Sequence, residues 1–311
     1  MIEIRYLDGT IKKAEFSNLK KLLRFPVWVD CTNITKEESE NLRKEFGLHS
    51  LTTEDLYNSN TRIKIEEFSE YLFSVFYNIN EQHELMEMDF IIGKNFLITN
   101  HKKPIETFET LKKDEEKLSL LFKKGLDFLF HRLLDKEIDE YFTAIEKLED
   151  NIEQLEEAAI NRARPELLSR ILKLKRMVVH IKRVTTTQRD KTGLLAKSNY
   201  KQISKRAEPY FRDIYDHAIR VSDIIDNNRE SIGNAFDVYM STMSNNMNEV
   251  MKVLSIIATI ALPLTVISGI YGTNFTILPG ASFPYGFWSM ILVMILMGLG
   301  MMWFFKKRNW F

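Results

Sequence analysis

The sequence predicts an α+β chain: a mixed α/β domain over residues 1–103, a helical region over 104–208, and a very long helix over 209–270 that continues into the first of two C-terminal membrane spans. Three observations predict this. Segments rich in aromatic and β-branched residues, separated by turn signals, are confined to the N-terminal third. From Pro104 onward the apolar period is helical. After Lys252 no Asp, Glu, Lys or Arg occurs until Lys306, and that window holds two apolar runs, Val253 to Ile270 and Phe287 to Phe305. Each is close to the ~20 residues a helix needs to cross hydrocarbon. Two buried helices of a soluble core are the alternative, but charge-free runs of this length seldom sit side by side in one.

In the N-terminal domain, Ile2 to Leu7 and Thr10 to Phe16 flank Asp8-Gly9, a hairpin turn pair. Val27 to Cys31, Tyr71 to Ile79, Glu87 to Ile92 and Phe96 to Asn100 are further strands. Thr35 with Glu38 forms a capping box that opens a helix to Phe46. Between Asp135 and Glu157 ten acids face two lysines, whereas Arg162 to Lys191 carries ten Lys or Arg against Glu166 and Asp190. Both stretches have apolar residues three or four apart, so a turn near 158–165 folds them into a hairpin with one acidic and one basic arm. A nucleic-acid surface on the basic arm is disfavoured, because the acidic arm lies beside it and the whole chain balances 43 basic against 43 acidic groups.

Pro209 suits the first turn of the long helix, and about 60 residues at ~1.5 Å each make it longer than any single membrane crossing. Most of it is therefore expected to stand in the cytosol as a stalk. Pro263 removes one backbone donor inside the first span. Orientation follows from Lys306, Lys307 and Arg308 after the second span, which place the tail (306–311) and Lys252 inside and the connector (271–286) outside. The single cysteine, Cys31, suits a reducing compartment, and residues 1–10 lack an apolar signal core, so both termini are expected to be cytoplasmic.

Steps of three and four from Ser241 give Ser244, Asn248, Met251, Ser255, Ala258, Leu262, Thr265, Gly269 and Gly272, a narrow stripe of mostly small or polar side chains. Such a stripe serves close helix packing or one wall of a polar conduit shared by several copies.

The outer end of the helix reads Tyr271-Gly272-Thr273-Asn274-Phe275. This resembles the Gly-Met-Asn signature of the CorA family of magnesium channels in its aromatic context. Asp237 to Ser241, Asn248 to Lys252, Ile256 to Ile260 with Pro263 to Thr265, Lys306 to Trp310 and, upstream, Tyr210 to Asp216 are also similar to that family. Two positions depart from it: Thr273 stands in place of Met, and the connector after Phe275 has no carboxylate.

The resemblance implies a funnel-shaped homopentamer in the cytoplasmic membrane that takes up Mg²⁺, with Co²⁺ and Ni²⁺ as further candidates. The first span then lines the pore and the second surrounds it. Gly272, Thr273 and Asn274 form the selective mouth. Asn248, Met251, Leu254, Ser255, Ala258, Leu262, Thr265 and Gly269 line the conduit, and Asp237 forms an acidic ring near the inner exit. Mg²⁺ is implied as transported and regulatory ion, the latter through Asp213, with Glu84, Glu87 and Asp89 as candidate partners across a subunit interface. A zinc transporter of the related ZntB kind shares the same fold and also differs at the middle signature position. A membrane-anchored receptor or structural protein is the rival outside transport. No nucleophile elbow, phosphate-binding glycine loop or zinc-spaced histidine pair supports an enzyme, and the six histidines, His217 among them, read as structural or solvated.

Overall fold

The computed structural model describes the chain except for residues 59–60, 162–163, 198, 276–277, 281, 309 and 311. Parts of three expected features lie outside the described residues: the turn between the helical arms (162–163), the connector (276–277 and 281) and residues 309 and 311 of the tail. The chain forms two compact units, Met1–Ala158 with Arg164–Phe236, and Ala159–Ala163 with Asp237–Phe311.

The first unit is built on a seven-stranded sheet of β1 (Ile2–Asp8), β2 (Thr10–Ala14), β3 (Val27–Thr32), β4 (Lys64–Glu67), β5 (Tyr71–Ile79), β6 (Leu85–Gly93) and β7 (Phe96–His101). Its order is β2-β1-β3-β7-β6-β5-β4, and β3 with β7 is the parallel pair. Sequence patterning finds six of these strands. It misses β4, a short edge strand in which Lys64 alternates with Glu66 and Glu67 around a single Ile65.

Nearly every residue of β5 is buried, because the sheet is covered on both faces. Tyr71, Phe73 and Val75 pack with Val27, Val29, Ile91 and Ile98 against α2 (Lys36–Phe46) and α3 (Ser50–Tyr57) through Leu42, Phe46 and Leu56. Leu72 and Phe76 point the other way, with Trp28, Phe90 and Leu97. They meet α4 (Glu106–Lys113), α5 (Glu115–Lys124), α6 (Leu126–Asn161) and the first turns of α8 (Glu208–Tyr271), where Phe211 and Ile214 are fully buried. Two-residue alternation thus feeds two cores from one strand. The short helix α1 (Leu19–Leu22) contributes Leu19.

The capping box at Thr35 is present: Thr35 Oγ1 accepts from Glu38 N–H and the Glu38 carboxylate accepts from Thr35 N–H. Gly47, at φ 67°, closes α2 in the left-handed region that glycine occupies without strain. Inside the sheet, Asp30 on β3 meets His101 on β7, with Nε2 at 3.0 Å, and Lys112 on α4, with Nζ at 2.6 Å. Burial pushes the Asp30 carboxyl up, and the hydrogen bond and charge of His101 with those of Lys112 more than reverse this, leaving it below the ordinary carboxylate range.

α6 begins at Leu126, well before the acidic stretch, and α7 spans Pro165–Lys197. The tie from α7 to the sheet runs through Gln188, whose Oε1 accepts from Tyr77 N–H at 2.9 Å. Among the described residues the cationic arm pairs with α8, through Lys182 and Asp226, rather than with the acidic arm.

The second unit holds the C-terminal part of α8 and α9 (Gly286–Lys307). α8 runs unbroken for 64 residues and passes through Pro263. Both helices contain windows apolar enough to cross a membrane, with mean hydropathies of 2.3 and 2.0, and almost nothing in those windows is buried. Gly298 is buried in α9 while Gly300 is exposed, and a Cβ at either would meet nothing within 4 Å. Close backbone approach is therefore not what these glycines provide within one chain.

Candidate metal centre

The first unit brings Asp135 of α6 together with Asp213 and His217 of α8. One ligand atom from each lies within 4.8 Å of the others. This is the spread of donors around one ion at 2.0–2.6 Å from each. Asp135 and Asp139 are four residues apart on α6, as are Asp213 and His217 on α8, so each pair shares a helix face. Apolar and aromatic packing holds the two helices together: the Phe130 ring lies tilted against Phe211 at 5.4 Å between ring centroids, and Phe142 meets the His217 ring edge-on at 6.0 Å.

The electrostatics leave room for a cation. Burial pushes the Asp135 carboxyl up, and Asp139 adds to this, against the opposing pull of His131, Arg132 and His217. Burial likewise pushes His131 down against Asp135 and Asp213. His217 Nδ1 is shielded from solvent and lies 3.2 Å from Asp139 Oδ1, yet outside hydrogen-bonding geometry. A buried imidazole nitrogen without a hydrogen bond, beside three carboxylates, fits a divalent ion. Carboxylates alone would suit Mg²⁺, and the imidazole extends the set toward Co²⁺, Ni²⁺ and Zn²⁺.

The second unit carries the polar stripe. Asn248, Met251, Leu254, Ser255, Ala258, Leu262, Thr265 and Gly269 are all exposed, as are Gly272, Thr273 and Asn274 at the helix end and Asp237 nearer its start. The covered side of the same helix runs Ile256, Ile260, Leu264 and Ile267, and that of α9 runs Met290, Met294, Met297, Met301 and Phe305. Val253, Ile257, Val266 and Ile270 are exposed as well, so within one chain both the apolar flank and the small and polar stripe of α8 are left uncovered.

Local bonding shapes the end of α8. Gly272 N–H donates to Ser268 O at 2.9 Å, and a Cβ there would crowd that oxygen at 3.2 Å. Thr273 turns its hydroxyl back to Ile270 O at 2.8 Å, a carbonyl that also accepts from Thr273 N–H at 3.3 Å. Thr265 donates to Ala261 O at 2.9 Å, which directs its proton into the helix and leaves its oxygen to accept.

Residues 26–307 match the model of the CorA-like Mg²⁺ transporter proteins. The chain belongs to the CorA family. The cobalt/magnesium transport protein CorA of Thermotoga maritima is 34% identical over 292 residues, which is 92% of this chain and 83% of that protein. The cobalt/magnesium transport protein CorA of Methanocaldococcus jannaschii is 26% identical over 308 residues, 97% of each. A complete structure of the CorA magnesium transporter from Methanocaldococcus jannaschii has the same fold, with a TM-score of 0.89 over 100% of this chain and 99% of that one, at 24% identity.

In this CorA chain, sequence reasoning finds Asp213 but not the residues beside it. His217 reads as an isolated histidine and Asp135 as one acid among ten, and the missed signal is the matched four-residue spacing on two helices. The three other acids named for Asp213 are engaged elsewhere within the chain. Glu84 pairs with Lys103 at 3.6 Å, and Glu87 accepts from Thr61 N–H at 2.7 Å. Asp89 is 2% exposed and accepts from Asn100 Nδ2 at 2.7 Å, so it faces no partner.

Proposed function

We propose that this CorA protein assembles as a homopentamer in the cytoplasmic membrane, with both termini inside, and conducts Mg²⁺ and Co²⁺ into the cell. The observation that carries the proposal is the composition of the stripe from Asn248 to Asn274, small and polar side chains along one face of an otherwise apolar span. Apolar helix faces go to lipid or to one another, so a face of amides, hydroxyls and glycines in a charge-free span needs water or like faces around a shared axis. The family membership and the cobalt/magnesium transport proteins among its relatives support the same reading.

Five Asn274 side chains at the mouth present amide oxygens to the first-shell waters of a hydrated ion. Mg²⁺ dehydrates reluctantly, so neutral acceptors that hold its water shell select it without trapping it. Thr265, Ser255 and Asn248 pass the hydrated ion inward. Leu262, Leu254 and Met251 form apolar rings that stop conduction by dewetting when narrow. Asp237 concentrates cations at the inner exit. Cytosolic divalent ion at Asp135, Asp213 and His217 stabilises the closed state by binding it better than the open one.

Flux into liposomes loaded with a Mg²⁺ indicator tests this directly. Wild-type protein is expected to admit Mg²⁺ and Co²⁺ without a proton gradient, and Asn274→Ala to lose most of that flux. Transport of Zn²⁺ alone, and only under a proton gradient, would instead establish proton-coupled zinc transport. Undiminished flux in Asn274→Ala would remove the mouth from the mechanism.

A further inference from the structure

A cleft of about 610 Å³ opens in the first unit between the end of β5, the start of α4, α5 and the middle of α6. It is separate in composition from the metal centre, since none of Asp135, Asp139, Asp213 and His217 lines it. Its size falls within the range of small-molecule sites.

Two of the polar side chains that line it are almost fully buried, Glu137 at 1% and Asn78 at 5% exposure. The Glu137 carboxylate accepts from Asn78 Nδ2 at 2.8 Å on one oxygen and from the Thr107 hydroxyl on the other. Each carboxylate oxygen keeps a second lone pair. Asn78 Oδ1 is buried and has no hydrogen-bond partner among the described residues. A buried acceptor left unmade is costly, and native proteins rarely keep one without a use.

The charges around the cleft are unevenly matched. Glu106, Glu137 and Glu140 line it and make no ion pair among the described residues. Three of its cations are held by acids that do not line it: Lys103 by Glu84 at 3.6 Å, Arg132 by Asp135 at 3.6 Å and Lys136 by Asp139 at 2.8 Å. Lys117 is the fourth cation. The free valence of the cleft is therefore acceptor and anionic, while Ile105, Leu111 and Leu133 supply apolar wall.

We infer that this cleft binds an organic ammonium ion, a primary amine on an aliphatic chain such as a diamine or polyamine. The ammonium head offers three N–H donors, which match the free lone pairs of Glu137 and Asn78 Oδ1. The methylenes lie along the apolar wall, and a second amine reaches Glu106 or Glu140 at the mouth. A bare divalent ion fits less well, because Mg²⁺ wants six oxygens in octahedral order and the one buried carboxylate already accepts two hydrogen bonds. A phosphate is opposed by the unpaired acids.

Isothermal titration of the full-length protein in detergent tests the site, using 1,4-diaminobutane and spermidine as probes, with 1-butanol, inorganic phosphate and MgCl₂ run separately. The expected result is one amine per chain and no heat from butanol or phosphate. Glu137→Gln should weaken amine binding about tenfold or more, the effect of neutralising a charged hydrogen-bond acceptor. Glu140→Lys, an exposed change that leaves the fold intact, should weaken it several-fold and keeps the test decisive if Glu137→Gln does not fold. Absence of amine binding, equal amine binding in both variants, phosphate binding to the wild type, or a Mg²⁺ isotherm lost in Glu137→Gln would each overturn the assignment.

Discussion

The first unit contains two clusters in which aspartate meets histidine, and they are built to opposite ends. Around Asp30 the carboxylate sits between His101 and Lys112, all nearly buried, and the positive partners are part of the fold. Around Asp135 the partners are weaker: Arg132 stands at 3.6 Å from Asp135, Lys136 holds Asp139, Asp213 makes no ion pair among the described residues, one imidazole nitrogen makes no hydrogen bond, and burial is not offset, so the Asp135 carboxyl stays raised. A buried carboxylate that owns its cation is a structural element. A carboxylate without one, as Asp213 is among the described residues, is a place for a cation to come and go.

The largest effect that would break this contrast is expected at the closed cluster. Asp30→Asn removes the buried partner of Lys112 and leaves it Glu109 at 2.6 Å and Glu3 at 3.4 Å, both more exposed, and should cost about 3 kcal/mol in denaturant unfolding. That loss should be the same with and without Mg²⁺. A Mg²⁺-dependent loss would mean that the two clusters are not different in kind.

At the open cluster the order is reversed. Asp213→Lys should leave the unfolding midpoint in chelator almost unchanged but abolish the added stability that millimolar Mg²⁺ gives the wild type, about 2.7 kcal/mol at a hundredfold excess over Kd. Protease protection of the first unit by Mg²⁺ reads the same quantity. Retained protection would place the regulatory ion elsewhere.

A smaller effect separates ions. His217→Asn replaces a nitrogen donor by an amide oxygen and should lower Co²⁺ affinity roughly tenfold while changing Mg²⁺ affinity little. Competition titration with both ions measures the ratio, and an equal loss for both would show that the imidazole only positions Asp139.

The smallest effect is in pH. The folded pKa of Asp30 lies below its ordinary value, so its stabilising contribution is present above that value and is lost only as pH falls through the lowered pKa. Asp135 has the opposite sign: its folded pKa is raised, so its contribution is full below the ordinary value and is lost as pH rises through the raised one. Between pH 6 and 4 without divalent ion, Asp30→Asn should therefore leave the slope of stability against pH unchanged. Asp135→Asn should remove a component that rises toward acid. An unchanged slope in Asp135→Asn would contradict the assignment.

Much of this architecture is legible in the residues. The aromatic and β-branched runs mark six strands, the Thr35 box marks the start of α2, and the charge-free runs mark the two long apolar helices. What stayed illegible has two physical causes. β4 is an edge strand with one aliphatic residue, so its pairing with β5 supplies what its own pattern lacks. The four-residue spacings of Asp135 with Asp139 and of Asp213 with His217 place each pair on one helix face but do not say that the faces meet, which depends on which turn of α6 packs on which turn of α8.

The sequence alone determined the membrane runs, the stripe and the signature at Asn274, because hydropathy, helical period and charge are properties of neighbouring residues. Only the tertiary structure decided that Asp213 meets Asp135 and His217, that Asp30 meets His101 and Lys112, and that Asn78 and Glu137 share a cleft. Those meetings join residues far apart in the chain, and they are set by how packed elements bring side chains within a few ångströms, which no local pattern encodes.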